Sequence, residues 1–567
     1  MMFYTRGLVQ DVPVKHFCFT WNLITLGLLL LISGCKKDNE QALVNTSVAF
    51  TVNDVYNGTL NYSGLNPKPV VTLNFTEPIN QNSVADGIKL TTAAGAAVPL
   101  TTTLQNNNRT VIVTPENNLS SFSSYELAVT SSLRSATGGR LVNPVTISLK
   151  TGLDDTDKFP RIPDEELLTL VQKQTFKYFY DFAHPASGLA RERNTSGNTV
   201  TTGGSGFGIM ALVTGMHRGF ITRAEGLGRI TTIVDFLKNK AERHHGAYPH
   251  WLDGNTGATL PFSANDNGAD LVETAFLMQG LLTARQYFNT ATAAETTLRN
   301  DITAIYNGVE WDWFRKDGGD VLYWHWSPNM GWAQNLPIRG WDEALVTYVL
   351  AAASPTHTIP KTVYDNGWAR NGGMRNGNTY YGVQLPLGPE LGGPLFFEHY
   401  SFMGINPKGL TDAYANYETQ THAHTLINYR YCVDNPKNFY GYSENCWGLT
   451  ASDIQNGYTA SSPTNDRGHI APTAALSSFP YTPTESMQAL HFFYYKLGDK
   501  IWKDYGFVDS FSLHDQWFAS SHLAIDQGPI IVMIENHRSG LLWDLFMSAP
   551  EVQAGLKKLG FTSPHLQ

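Results

Sequence analysis

The sequence predicts an all-β sandwich followed by an all-α domain folded as an (α/α)6 toroid, and three observations predict it. Between residues 47 and 151, short runs rich in Val, Ile and Thr are separated by Asn, Gly, Ser and Pro, the texture of a sandwich. From residue 164 to 567 the apolar spacing becomes helical and stays so. Within that stretch, segments apolar on every side, such as GFGIMALVTGM, alternate with amphipathic ones such as RITTIVDFLKNKAERH. A helix apolar all round is buried and an amphipathic one faces solvent, so the alternation reads as an inner and an outer layer. At 567 residues the chain is long enough for two or more domains.

The first element is a targeting segment, residues 1–34. Arg6 and Lys15 precede the apolar run FCFTWNLITLGLLLLISGC, whose most apolar part, 23–32, is short for a membrane span. It ends in Leu31-Ile32-Ser33-Gly34-Cys35, which resembles a bacterial lipobox, with Cys35 as the lipid attachment point. The KKDNE that follows resembles the export signal of Bacteroidetes-type surface lipoproteins. These features predict a chain held at the outer membrane by a lipid anchor, on the cell surface or facing the periplasm. Cys18 would leave with the signal, and Cys432 and Cys446 remain, either as a disulfide, which an exported protein permits, or as two buried thiols.

Residues 35–46 read as a polar tether. The sandwich follows at 47–151, with PVVTLNF, GIKLTT, RTVIVTP, YELAVTS and VTISLKT as strands. GLDDTDKFPRIPDEE contains the linker, 152–163, and the helical domain spans 164–567. DEELLTLVQKQTFKYFYDFA opens it, with Asp164 as the expected N-cap. Further helices are expected in DLVETAFLMQGLLTARQYF, TTLRNDITAIYNGVEWDWF, DEALVTYVLAAAS, HAHTLINYRYCV, TESMQALHFFYYKL and GPIIVMIENHRSGLLWDLFM. Long Gly- and aromatic-rich connections, among them HGAYPHWLDGNTG, VLYWHWSPNMGW and YGYSENCWGLTASD, would form a cleft at one end.

The chemistry is expected in NDNGADLVETAF. Asp266, Asp270 and Glu273 fall at relative positions 0, 4 and 7, so on one helix they would share a face. Capping by Asn265 or Asp266, with acids in the first turn, explains one or two of them. Three repelling carboxylates on one face point instead to a solvated cleft and a polar ligand. Asp342 and Glu343 likewise begin an apolar helix, directly after Trp341. Glu398 and His399 lie in FFEHYSF, and Glu444 in YSENCWG beside Trp447, whereas Glu485 is explained by a capping box from Thr482. Paired carboxylates suit glycoside hydrolysis: one, kept neutral, protonates the leaving oxygen, and the other activates water or attacks the sugar. Crowding assists, because a neighbouring anion raises a carboxyl pKa.

Other chemistries lack their signatures. With 40 basic against 49 acidic residues the net charge is −9, which opposes nucleic-acid binding. No GxSxG elbow, Walker loop, HExxH or CxxC occurs, and GGSGFG leads into a helix with no parallel-sheet pattern around it. No cofactor and no metal are expected.

GLARERN, GGSGFGIMALV, AYPHWLDGNTG, NGADLVETAFLMQGLL, IRGWDEALVTYVLA, FFEHYSF and SFPYTPTESM occur in order between residues 188 and 487. Together they resemble the glucoamylase-like domain of glycoside hydrolase family 144, over roughly residues 160–560, and the preceding sandwich resembles the bacterial Ig-like domains placed ahead of surface enzymes. The resemblance implies an (α/α)6 barrel cleaving β-1,2-glucan to sophorose or short oligosaccharides by inversion. It implies a general acid and base among Asp266, Asp270, Glu273 and Glu343, and inversion needs carboxyls about 6.5–9.5 Å apart. The sugar contacts expected are Arg191, Arg193, Trp251, His325, Trp341, Asp342, Glu398, His399, Tyr400, Glu444 and Trp447, with Phe207 in the core. The partner is a glucan, and a monomer is expected. A polysaccharide lyase on the same toroid and a non-catalytic glycan-binding lipoprotein are the alternatives.

Overall fold

The computed structural model describes residues 42–567. The signal segment 1–34, the lipid site Cys35 and the first part of the tether lie outside the described residues. Among the described residues, no helix is long and apolar enough to cross a membrane. The chain divides into two compact units, one ending at Leu153 and the other beginning at Asp154.

The first unit is a two-sheet sandwich. Its strands are β1 (Val48–Val52), β2 (Asn61–Leu65), β3 (Val71–Phe75), β4 (Ile88–Thr92), β5 (Ala97–Val98), β6 (Leu100–Gln105), β7 (Thr110–Pro115), β8 (Ser124–Val129) and β9 (Val145–Thr151). One sheet has the order β1-β3-β7-β6 and the other β2-β9-β8-β4-β5, antiparallel except for the β2–β9 pair. Alternation decides which side chains meet: Val71, Leu73 and Phe75 are buried while Thr72 and Asn74 between them are not, and Leu73 lies opposite Val111. The edge strand β6 carries Thr101, Thr102 and Thr103 outward, as a solvated edge should.

The second unit is helical. Its main helices are α1 (Asp164–Tyr180), α2 (Thr202–His217), α3 (Arg223–Asn239), α4 (Leu271–Tyr287), α5 (Ala293–Asn307), α6 (Leu345–Ala353), α7 (Tyr417–Asp434), α8 (Pro483–His491), α9 (Ala524–Arg538), α10 (Leu541–Met547) and α11 (Pro550–Leu559). α2, α4, α6 and α9 are buried along nearly their whole length. α3 buries one stripe, through Gly226, Ile230, Val234 and Leu237, and α5 another through Leu298, Ile302 and Ile305, so both cover the inner helices. α2 and α4 run parallel at backbone contact: a Cβ on Gly206 would lie 2.1 Å from the carbonyl oxygen of Phe276, so only glycine fits. α9 runs parallel to α2 on its other side, with Gly204 against Ala524 and Gly528 against Phe207. The first turns of all three buried helices therefore meet at one end of the domain, and their dipoles favour anions there. That is where the acids are.

Several local expectations change. Asp164 is the first helical residue of α1 rather than its cap, since Pro163 holds that position. Thr482 makes no side-chain cap to α8, so no capping box explains Glu485. The segment 528–547 is two helices, parted by Gly540 in the left-handed region at φ 74°. Cys432 and Cys446 are free, buried thiols rather than a disulfide.

Candidate active site

The acids of NDNGADLVETAF do not share a helix face, because α4 starts only at Leu271. Asp266 closes a tight turn with Ser263, and Ala269–Asp270 form a short strand, β10, paired with His325–Trp326 so that Asp270 lies opposite His325. Asp270 is the N-cap: its Oδ1 accepts from the amides of Val272 at 3.1 Å and Glu273 at 2.9 Å. Its Oδ2 takes Nδ1 of His250 at 2.9 Å. Nδ1 of His325 lies 3.1 Å from Oδ2 of Asp266 and 3.6 Å from Oδ2 of Asp270. Glu273, in the first turn of α4, receives the Gly203 amide on Oε2 at 2.6 Å and turns Oε1 to within 4.0 Å of His250 Nε2. Carboxylates and imidazoles thus alternate: Glu273, His250, Asp270, His325, Asp266.

Alternation settles the charge that three buried acids would otherwise leave. Burial opposes the imidazolium of His250, yet Glu273 and the bond to Asp270 outweigh it and push its pKa up to about 9. Burial likewise opposes ionisation of Asp270, but His325 and His250 bring it below the ordinary carboxylate value. Glu273 is pushed up by burial, against the pull of His250. The nitrogen of His250 and one oxygen each of Asp266 and Asp270 lie within 4.8 Å of one another, so these three side chains could also hold a divalent cation.

A second wall precedes α6. Oδ1 of Asp342 accepts from the Ala344 amide at 2.9 Å and from Nε1 of Trp368 at 3.0 Å, and burial pushes its pKa up to about 6. Glu343 is held well above the usual carboxyl range by burial, by Asp342 and by Glu273. Tyr400 stacks on Phe396 and packs against Phe207 and Phe276. Burial first, then Asp526, Tyr458, Glu343 and Glu273, keep its phenol neutral, so acids from both walls surround it.

Asp526 was not expected. It sits in the first turn of α9, the same arrangement of acid before apolar helix that singles out Glu273 and Glu343. The apolar run is legible from Gly528, and taking the helix to begin there leaves Asp526 in the preceding loop. His250, in AYPHWLDGNTG, was also missed, because nothing local marks its pairing with an acid twenty residues on.

Other expected sugar contacts are placed in the core. Trp447 is fully buried and donates through Nε1 to the carbonyl of Glu485 at 3.1 Å. Glu398 is fully buried, its Oε1 accepting from Trp341, Gln420 and His424, so Glu398 and Trp341 brace each other beneath the wall. His399 is buried against Ser478, and burial lowers its pKa to about 3. Glu444 is exposed beside Tyr429 of α7, away from the acid chain. The Arg191 guanidinium lies over Phe182, and Arg193 pairs with Glu192 and Asp453. Trp251 packs edge-on to Phe262, which stacks on His250, so it does border the site.

Residues 335–550 match the glycoamylase family model, which describes a glucoamylase, and residues 44–151 match the bacterial Ig-like domain model. A curated relative from Parabacteroides distasonis, an exo β-1,2-glucooligosaccharide sophorohydrolase (non-reducing end), is 47% identical over 418 residues, 70% of this chain. The chain spans 58% of the length of that relative. The endo-β-1,2-glucanase of Chitinophaga pinensis, solved with sophorotriose and glucose, is 51% identical, with a TM-score of 0.70 over 72% of this chain and 100% of the other. A β-1,2-glucanase structure from Parabacteroides distasonis is 39% identical, with a TM-score of 0.69 over 88% of this chain and 72% of the other.

Proposed function

The chain belongs to the glucoamylase-like family of glycoside hydrolases, of the family 144 type, and from that premise we propose that it hydrolyses β-1,2-glucan to sophorose or short sophorooligosaccharides. The observation that carries the reading is the facing of a neutral acid, Glu343, by carboxyls of α4 and α9 around one phenol, Tyr400. Alternating buried and covering helices support an (α/α)6 toroid whose inner first turns make the cleft floor.

In this reading Glu343 gives its proton to the leaving glycosidic oxygen as the bond to the anomeric carbon breaks. A water on the other face of the sugar forms the new bond and passes its proton to Asp526, which inverts the centre. The side chains of the His250–Asp270 and His325–Asp266 pairs, with Glu273 fixed by Gly203, hold sugar hydroxyls and stabilise the cationic transition state. The chain acts as a monomer, anchored through lipid on Cys35 at the outer membrane; radiolabelled fatty acid on the wild type and none on Cys35→Ala tests that anchor.

The deciding experiment incubates the soluble chain with linear β-1,2-glucan, soluble starch and β-1,3-glucan and follows products by proton NMR. Initial release of the α-anomer from β-1,2-glucan alone supports the proposal. A product with an unsaturated, ultraviolet-absorbing sugar makes the protein a lyase. Ligand affinity with no released sugar makes it a binding protein.

A further inference from the structure

Behind Asp526 lies a second acid whose environment the reaction as described leaves unexplained. Asp509, just after the short strand Gly506–Phe507, and Asp526 are each 2% exposed. Among the described residues, Oδ1 of Asp509 and Oδ2 of Asp526 are buried without a donor from elsewhere, and the two side chains are in hydrogen-bonding contact with each other. The remaining oxygen of Asp509, Oδ2, is fixed by the amide of Asp453 at 2.6 Å. Two carboxylates cannot face each other at that range in a buried site unless a proton lies between them.

The surroundings do not neutralise the pair. Arg193 is the nearest cation, but its Nη1 is engaged by Asp453 at 3.2 Å and its Nε by Glu192 at 3.0 Å. Asp453 also accepts from Ser521 at 2.5 Å, so its carboxyl is engaged by Arg193 and Ser521. The remaining titratable neighbours are the phenols of Tyr400, which is buried, and Tyr458, which is half exposed, and neither supplies a positive charge. Among the described residues, no basic side chain pairs with the facing oxygens. A shared proton does what a cation would otherwise do.

We propose that Asp509 and Asp526 hold one proton between them, and that Asp509 is a positioning residue that makes Asp526 the base for the hydrolytic water. The inference rests on the proposed hydrolysis. With the shared proton on Asp509, Asp526 is ionised, and its oxygen turned away from Asp509 takes the proton from water as the water oxygen bonds to the anomeric carbon. The leaving oxygen has by then received the proton of Glu343. The pair ends with two protons and Glu343 with none; one proton returns through solvent before the next turnover. Burial and then Asp453 push the Asp509 pKa up to about 7 although the contact with Asp526 lowers it, and burial and then Asp509 hold Asp526 well above the ordinary carboxyl value.

The test has two arms. Difference infrared spectroscopy of the whole chain across a pH scan reads protonated carboxyls directly and needs no substrate. In a Glu343→Gln background, one carboxyl should stay protonated at neutral pH, and that one signal should vanish in both Asp509→Asn and Asp526→Asn. Absence of the signal in the Glu343→Gln protein, or its survival in either further variant, overturns the proposal. Should the added substitutions prevent folding, the Glu343→Gln spectrum alone decides. The second arm is the pH profile on β-1,2-glucan. Asp509→Ala removes the proton donor that holds Asp526 ionised, so the acidic limb should move to higher pH and kcat should fall by about 10–100-fold with KM unchanged. An acidic limb that stays in place also overturns the proposal. If the wild type leaves β-1,2-glucan intact, the functional reading fails while the infrared arm still decides the shared proton.

Discussion

The amide of Gly203 donates to Oε2 of Glu273 at 2.6 Å, so the first turn of α2 grips a carboxylate belonging to the first turn of α4. The grip exists because the two helices run parallel and touch backbone to backbone. A Cβ on Gly203 would stand 2.6 Å from that same oxygen. Gly203→Ala should therefore displace the Glu273 carboxylate while leaving the helix intact. Since misplacing a catalytic group by about 1 Å can cost about 100-fold, kcat/KM on β-1,2-glucan should drop by about that factor with little change in Tm. Unchanged kinetics would return Glu273 to a structural role.

Asp270 combines two functions on its two oxygens, and two substitutions separate them. Asn at this position still caps α4, so Asp270→Asn should unfold near the wild-type temperature. Asp270→Ala loses the cap and should cost about 1 kcal/mol or somewhat more, measured by urea unfolding. Both variants deprive His250 of its partner, so His250, held up at about 9 in the wild type, should titrate closer to an ordinary imidazole. Proton NMR of the His250 ring checks this; an unchanged titration in either variant would mean that Glu273 alone holds the charge.

Much of this was legible in the sequence. Alternation of apolar residues marked the sandwich, and the contrast between all-apolar and amphipathic segments marked the inner and outer helices. Acids before apolar helices were legible too, because first turns of buried helices carry few charges without a reason. Register across loops was not. Spacing of 0, 4 and 7 suggested that Asp266 shares a helix with Glu273, whereas β10 pairs Asp270 opposite His325 and leaves Asp266 in a turn. The partnership of Asp509 with Asp526, and of His250 with Asp270, depends on tertiary folding that no local pattern encodes. Aromatic residues beside acids misled, because Trp341 and Trp447 serve packing as readily as sugar binding.

That last point is testable at Trp447. Its indole is fully buried and its N–H is satisfied by the Glu485 carbonyl. Trp447→Phe should leave a small void and an unpaired carbonyl, lowering stability by about 1–3 kcal/mol with KM for β-1,2-glucan unchanged. Glu444→Gln, on the exposed side of the same loop, should change neither quantity. A raised KM in either variant would bring this loop back to the substrate.

Glu343 links activity to stability with opposite signs. Burial and Asp342 hold its pKa well above the ordinary value, so the folded protein keeps a proton that the unfolded chain releases near about 4.3. Between those two values the folded state binds more protons than the unfolded one, and stability must fall as pH rises through that window. Glu343→Gln is neutral in both states and escapes this fall. The variant should therefore lose about 10²–10⁴-fold in kcat, as expected for removal of a general acid, yet melt at a higher temperature than the wild type at pH 8. At pH 4, where the wild-type carboxyl is protonated in both states to a large extent, the two melting temperatures should converge. Differential scanning calorimetry at the two pH values separates this from a general packing effect, which would shift Tm equally at both. A pH-independent difference would mean that Glu343 is ionised in the folded protein, and the role of proton donor would then have to pass to another acid of the same opening.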